Sequence, residues 1–279
     1  MRVAVCGFKA FAGVAVNPSR QIVESLERKH RSRGDRSLSF HLLETAYDED
    51  SRRIREVVAE APEVLVIIGV ARHRQSICFE RFAVNIDDAS VPDNQGVVRS
   101  GVPIVLDGPD AFQSNAPLRA LVEYLAERQM AAIVSNHAGT FVCNHVFYVA
   151  LSEARRHSPR TLCVFVHVPM PQPASLTDAA SASPTLTDLC RAVELTIDCL
   201  SLHADETPGW VALAAQSRQC SSGERVGADC GNILRFVTAR PASSGPVLPR
   251  MWPGDACEDP RRDGESFRQN PSRRRSATT

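Results

Sequence analysis

The chain has 279 residues, 43% of them hydrophobic, enough for one sizeable core with an appendage. Lys plus Arg and Asp plus Glu both number 32, so the formal net charge is zero and no charge excess points to nucleic acid or a membrane surface. No apolar run reaches the length of a membrane span. The start, Met1-Arg-Val-Ala-Val-Cys-Gly7, reads as a strand and not as an export signal, and nine scattered cysteines, an odd number, argue against a disulfide framework, so a cytoplasmic location is expected.

Up to residue 204 strand and helix patterns alternate. Arg2 to Gly7 is an apolar strand. Pro18 to Lys29 is a helix, with Asn17 as its cap and Pro18 in its first turn. Leu38 to Thr45 is a strand, Glu49 to Ala59 an amphipathic helix, and Val64 to Gly69 a continuous apolar strand of the buried kind. Ser76 to Asp87 alternates partly, as an antiparallel or edge strand does. Pro117 to Gln129 is a helix and Ala131 to Val134 a short strand. A helix over Asn144 to His157, a strand over Thr161 to Val166 and an amphipathic helix over Thr187 to His203 follow. The alternation predicts a three-layer α/β/α sandwich around a mixed, mostly parallel sheet, in a domain of residues 1–204. Residues 205–279 are rich in Pro, Gly, Ser and Arg and have no sustained period. They read as a disordered C-terminal extension, with room for a short helix near Gly209 to Arg218.

Chemistry concentrates in Val134-Ser-Asn-His-Ala-Gly-Thr-Phe-Val-Cys-Asn-His145. Here a strand runs through a small turn into a helix that opens at Cys143. A thiol at a helix N-terminus meets unpaired N–H groups and the positive end of the dipole, an environment expected to favour the thiolate. Cysteine hydrolysis also needs a base and a group that orients it. His137, His145 and His167 are all near enough in sequence to serve as the base. His167 is modestly favoured because it ends a strand, and sites gather at the carboxyl ends of strands in open α/β sheets. Glu80, in the apolar stretch Ile77-Cys-Phe-Glu-Arg-Phe-Ala-Val-Asn85, must be paired or open to a cleft. It is either the orienting carboxylate or the partner of Arg74 or Arg81.

Four blocks in order resemble the pyroglutamyl peptidase I (pyrrolidone-carboxylate peptidase) family of cysteine peptidases. They are Gly7-Phe-Lys-Ala-Phe-Ala-Gly13 with Asn17-Pro-Ser19, then Phe79-Glu-Arg-Phe-Ala-Val-Asn-Ile-Asp-Asp-Ala-Ser-Val-Pro-Asp-Asn-Gln-Gly96, then the Cys143 block, then Phe165-Val-His-Val-Pro169. The resemblance spans residues 1–204. It implies a Cys/His/Glu triad with Cys143 as nucleophile, His167 as general acid and base and Glu80 as orienting carboxylate. It implies hydrolysis of an N-terminal pyroglutamyl residue from peptides through a thioester, with no metal or cofactor, and a homo-oligomer. By the same resemblance Phe8, Phe11, Val70, Phe141 and Val142 line an apolar slot for the flat, uncharged ring.

The chain departs from the family in that shell. Gly69-Val-Ala-Arg-His-Arg74 stands where the family has Gly-Gln-Ala-Gly-Gly-Arg. Val70 therefore replaces a hydrogen-bonding amide, and Arg72 and His73 replace two glycines that permit close backbone approach or positive φ. Ser90 replaces an Arg, which leaves Asp93 in need of another partner, and His137 replaces a small polar residue. Lys9, Ala10 and Ala12 replace an acid, Pro and Gly. Three readings follow: a working pyroglutamyl peptidase, a cysteine hydrolase of the same fold with shifted specificity, and a non-catalytic relative.

Overall fold

The computed structural model describes residues 1–11, 16–34, 37–172 and 184–204. The expected extension over residues 205–279, and the short helix within it, lie outside these described residues.

The elements in chain order are β1 (Val3–Phe8), α1 (Pro18–Ser32), β2 (Leu38–Leu43), α2 (Tyr47–Ala59), β3 (Val64–Val70), β4 (Ile77–Val84), β5 (Ala111–Gln113), α3 (Leu118–Ala126), β6 (Ala132–His137), α4 (Val142–His157), β7 (Leu162–Val168) and α5 (Leu186–His203). The strands form one mixed, mostly parallel sheet in the order β2-β1-β3-β7-β4-β5, with β6 paired to β4. The strands β2, β1, β3 and β7 run parallel. β4 lies antiparallel to β7 and β5 and parallel to β6. It is therefore an interior strand, and its partial alternation comes from the change of direction rather than from a free edge.

Every residue of β1, β3 and β7 is buried, which is why these segments read as unbroken apolar runs. The two-residue period divides their side chains between two cores. Val3, Val5, Val64, Val66, Ile68, Leu162, Val164 and Val166 face one way, into a core with the apolar residues of α1, α3 and α5. Ala4, Cys6, Phe8, Leu65, Ile67, Cys163 and Phe165 face the other way, into a core with those of α2 and α4. The α/β/α layering follows from this division.

Local signals set the helix starts. The Asn17 side chain accepts from Ser19 N–H and Pro18 occupies the first turn of α1. α5 opens with a capping box between Thr185 and Asp188. Among the described residues no helix is long and apolar enough to cross a membrane.

Candidate active site

The strand order switches sides at β1, with β2 on one side and β3 on the other, and the carboxyl ends of the parallel strands β1, β3 and β7 lie side by side next to this point. Gly69 is in register with His167, and Val70 with Val168. By the two-residue period His167 and Gly69 share the face of Phe165 and Ile67, which is covered by α4. Cys78 of β4 is in register with His167, and Glu80 lies two residues further along the same face.

The His167 Nδ1 and Glu80 Oε1 atoms are 2.7 Å apart. A carboxylate only accepts, so Nδ1 carries the hydrogen and Nε2 is left as an acceptor. Glu80 is fully buried and His167 nearly so. Arg74 Nη1 also donates to Glu80 Oε1, at 3.0 Å, while Oε2 is buried without a partner among the described residues. A buried carboxylate costs several kcal/mol unless paired, and here an imidazole and a guanidinium converge on one oxygen.

Cys143 lies in the first turn of α4 and is half-buried. Phe141, the residue at the helix cap, gives no side-chain hydrogen bond to the first turn. The thiol packs against Gly69. A Cβ there would lie 3.1 Å from Cys143 Sγ and 2.8 Å from Phe165 Cζ, so Gly69 provides the space that the thiol occupies. Burial, and after it the negative charges of Glu80 and Asp50, push the Cys143 thiol up to about 12, and the backbone hydrogen bond that favours the anion does not offset them. The helix start and burial therefore act on this thiol in opposite directions, the first favouring the thiolate and the second the thiol.

The five residues expected to line the slot occupy different depths. Phe11 and Phe141 are half-buried with ring centroids 6.4 Å apart. Phe8 and Val142 are sealed in the core, and the Phe8 ring is 6.3 Å from Phe165. Val70 lies at the buried end of β3.

The departures from the family are also placed. Arg72 and His73 are exposed in the β3–β4 turn, and neither has positive φ. Ser90 is exposed. Asp93 accepts from the backbone N–H groups of Tyr47, Gln95 and Val97, so amides take the part that an arginine was expected to play. His137 is exposed, its Nδ1 accepts from Gly139 N–H, and its carbonyl lies 3.5 Å from Arg74 Nη2. His145 uses both ring nitrogens elsewhere, on Ser51 and Asp87. Sequence reasoning missed Gly69 as the seat of the thiol and the Ser51–His145–Asp87 contacts. No sequence pattern marks either, and only the register of β3 against β7 and the packing of α2 on α4 bring them out.

The site thus combines a buried imidazole–carboxylate pair with a thiol packed on Gly69, the residue in register with His167. A model of the family described as pyroglutamyl peptidase matches residues 1–202. The pyrrolidone-carboxylate peptidase of Bacillus cereus (strain 03BB102) is 35% identical over 198 residues, covering 70% of this chain and 91% of the relative. Among solved structures, pyroglutamyl peptidase I of Bacillus amyloliquefaciens is 30% identical with a TM-score of 0.64, covering 73% of this chain and 98% of the other. The pyrrolidone carboxyl peptidase of Pyrococcus furiosus is 29% identical with a TM-score of 0.66, covering 73% and 100%. These matches define an enzyme of the peptidase class. The chain belongs to the pyroglutamyl peptidase family.

Proposed function

We propose that the chain removes an N-terminal pyroglutamyl residue from peptides, with Cys143 as nucleophile, His167 as general base and acid, and Glu80 as the carboxylate that orients His167. The observation that carries this reading is the 2.7 Å contact between His167 Nδ1 and the fully buried Glu80 Oε1, at the strand ends where Cys143 Sγ packs on Gly69. Burial raises the pKa of the thiol, which favours proton removal in the course of the attack. His167 Nε2 takes the Sγ proton as sulfur bonds to the pyroglutamyl carbonyl carbon. Backbone N–H groups in the uncapped first turn of α4 stabilise the oxyanion. Collapse of the tetrahedral adduct breaks the C–N bond, and His167 gives its proton to the leaving amine. A water molecule then gives a proton to His167, attacks the thioester and releases pyroglutamate, and the proton returns to sulfur. The ring is held between Phe11 and Phe141, with Phe8 and Val142 supporting them from the core and Val70 forming an apolar floor.

Val70 favours a second reading, a hydrolase of the same mechanism acting on another small acyl group, because valine offers no hydrogen bond to a lactam. Release of a fluorophore from a pyroglutamyl amide separates the two. We expect turnover by the native chain and none by Cys143→Ala. Glu80→Gln is expected to lower kcat by about a hundredfold or more, the usual worth of an oriented base. No turnover of pyroglutamyl amides by the native chain, with Cys143 still alkylated, would sink the first reading and leave the second.

A further inference from the structure

α4 starts without a side-chain cap. It is held from the side, by the end of β4 and the segment that follows it. Asn144 Oδ1 accepts from Val84 N–H at 2.9 Å, and Asn144 Nδ2 donates to the carbonyls of Val84 at 2.9 Å and Ile86 at 3.2 Å. Asp88 N–H donates to the Thr140 carbonyl at 2.9 Å, and Thr140 Oγ1 donates to the Asp88 carbonyl at 2.6 Å.

Next to Asn144 lies His145, two residues beyond Cys143. Its Nδ1 is 2.8 Å from Asp87 Oδ2 and its Nε2 is 2.6 Å from Ser51 Oγ. Arg99 Nη1 donates to the same Asp87 oxygen at 3.0 Å, and Arg99 Nη2 reaches Asp48 at 2.6 Å. The Arg99 guanidinium stacks over Tyr47, whose ring meets His145 edge-on with centroids 5.3 Å apart.

Serine, histidine and aspartate thus have the connectivity of a hydrolytic triad. Unlike the half-buried Cys143, the hydroxyl-bearing Ser51 is buried where α2 packs on α4, away from the strand ends, so no nucleophile is presented there. What the contacts do is mechanical. Asp87 requires a donor at Nδ1, and Nε2 meets the Ser51 hydroxyl, which can donate or accept. Only one ring orientation satisfies both neighbours, and it ties α2, α4 and the segment after β4 together at one point.

We infer that His145 is a positioning residue for Cys143: by joining Asp87 to Ser51 it fixes the rotation and height of the first turn of α4, and so the direction in which the thiol and the neighbouring amides face the strand ends. The inference rests on the reading of Cys143 as nucleophile. Its test compares the full-length chain with His145→Ala and His145→Asn, whose side-chain amide keeps the donor to Asp87. The readouts are kcat and KM on a pyroglutamyl amide, the rate of Cys143 alkylation by iodoacetamide at pH 9, and the melting temperature.

For His145→Ala we expect kcat to fall about tenfold or more, KM to stay within about twofold, and the alkylation rate to shift by about threefold or more, as a small misplacement of a reacting group implies. His145→Asn should restore kcat and the alkylation rate to within about threefold of the native values. A melting temperature that falls while kcat per folded molecule and alkylation stay native would overturn the inference, and so would an Asn variant no better than Ala. If His145→Ala does not fold, His145→Gln, which keeps the Ser51 side and loses Asp87, takes its place with the same expectations. Absence of pyroglutamyl turnover in the native chain would count against the proposed function, while the alkylation rates would still decide the positioning role.

Discussion

At Gly69 the missing side chain sets the position of the Cys143 thiol. Any Cβ would press on Cys143 Sγ and on the Phe165 ring together, and neither can retreat far inside a packed strand-helix interface. Gly69→Ala is therefore expected to lower kcat by about a hundredfold, the scale of a misplacement near 1 Å, with a smaller loss of stability. Comparing kcat with the melting temperature of the variant checks this. The raised thiol pKa carries a second expectation. With the thiol pushed up to about 12, the reactive anion is a small fraction at neutral pH and grows with pH. Alkylation of the resting enzyme should thus accelerate by about tenfold per pH unit from pH 7 to 10 with no plateau, as followed by mass spectrometry. A plateau near neutrality would mean that a thiolate–imidazolium pair exists before substrate binds. Cys143, His167 and Glu80 were singled out in the sequence through ordered motif blocks, and the structure pairs His167 with Glu80. The effect of burial on the thiol was not legible, because it depends on how much water the fold excludes and on a carboxylate 63 positions away in the chain, counted as 143 minus 80.

Among the elements, α1 illustrates how a motif read as part of the site also builds the scaffold beneath it. Asn17 caps the helix, its Nδ2 donates to the Lys9 carbonyl, and Ser19 Oγ accepts from Phe8 N–H. Gly7 allows this approach, since a Cβ there would meet the Ser19 carbonyl oxygen and Val23 Cγ2 at 2.7 Å. Asn17→Ala should cost about 1–2 kcal/mol of stability, the usual loss for a helix cap, as measured by urea unfolding. The start and type of most elements followed from apolar period, the Asn-Pro pair and the breaks around them. β5 did not, because three half-exposed or exposed residues carry no period. The interior position of β4 did not either. A strand with antiparallel partners in β7 and β5 and a parallel one in β6 presents the same alternation as an edge strand, and only the pairing tells them apart.

At the scale of the molecule, the family match ends at residue 202 and α5 ends at His203. We expect a chain truncated after residue 204 to keep its pyroglutamyl amidase activity and to melt within about 2 °C of the full chain, a change below about 1 kcal/mol. A larger drop in calorimetry would show that residues 205–279 contribute to the folded domain. By itself the sequence determined the layered α/β architecture, since strands buried on both faces must be apolar throughout and helices beside them must be apolar on one side. It also determined the peptidase family, through residues that recur in order. Only the tertiary structure decided which groups touch. His167 and Glu80 are 87 positions apart and meet because β7 and β4 pair antiparallel at Cys78, while His145, two residues from Cys143, is turned by the helix toward Asp87 and Ser51. Nearness along the chain does not translate into nearness in space. Strand register and helix phase govern which side chains touch, and both are set by packing against elements far away in the chain.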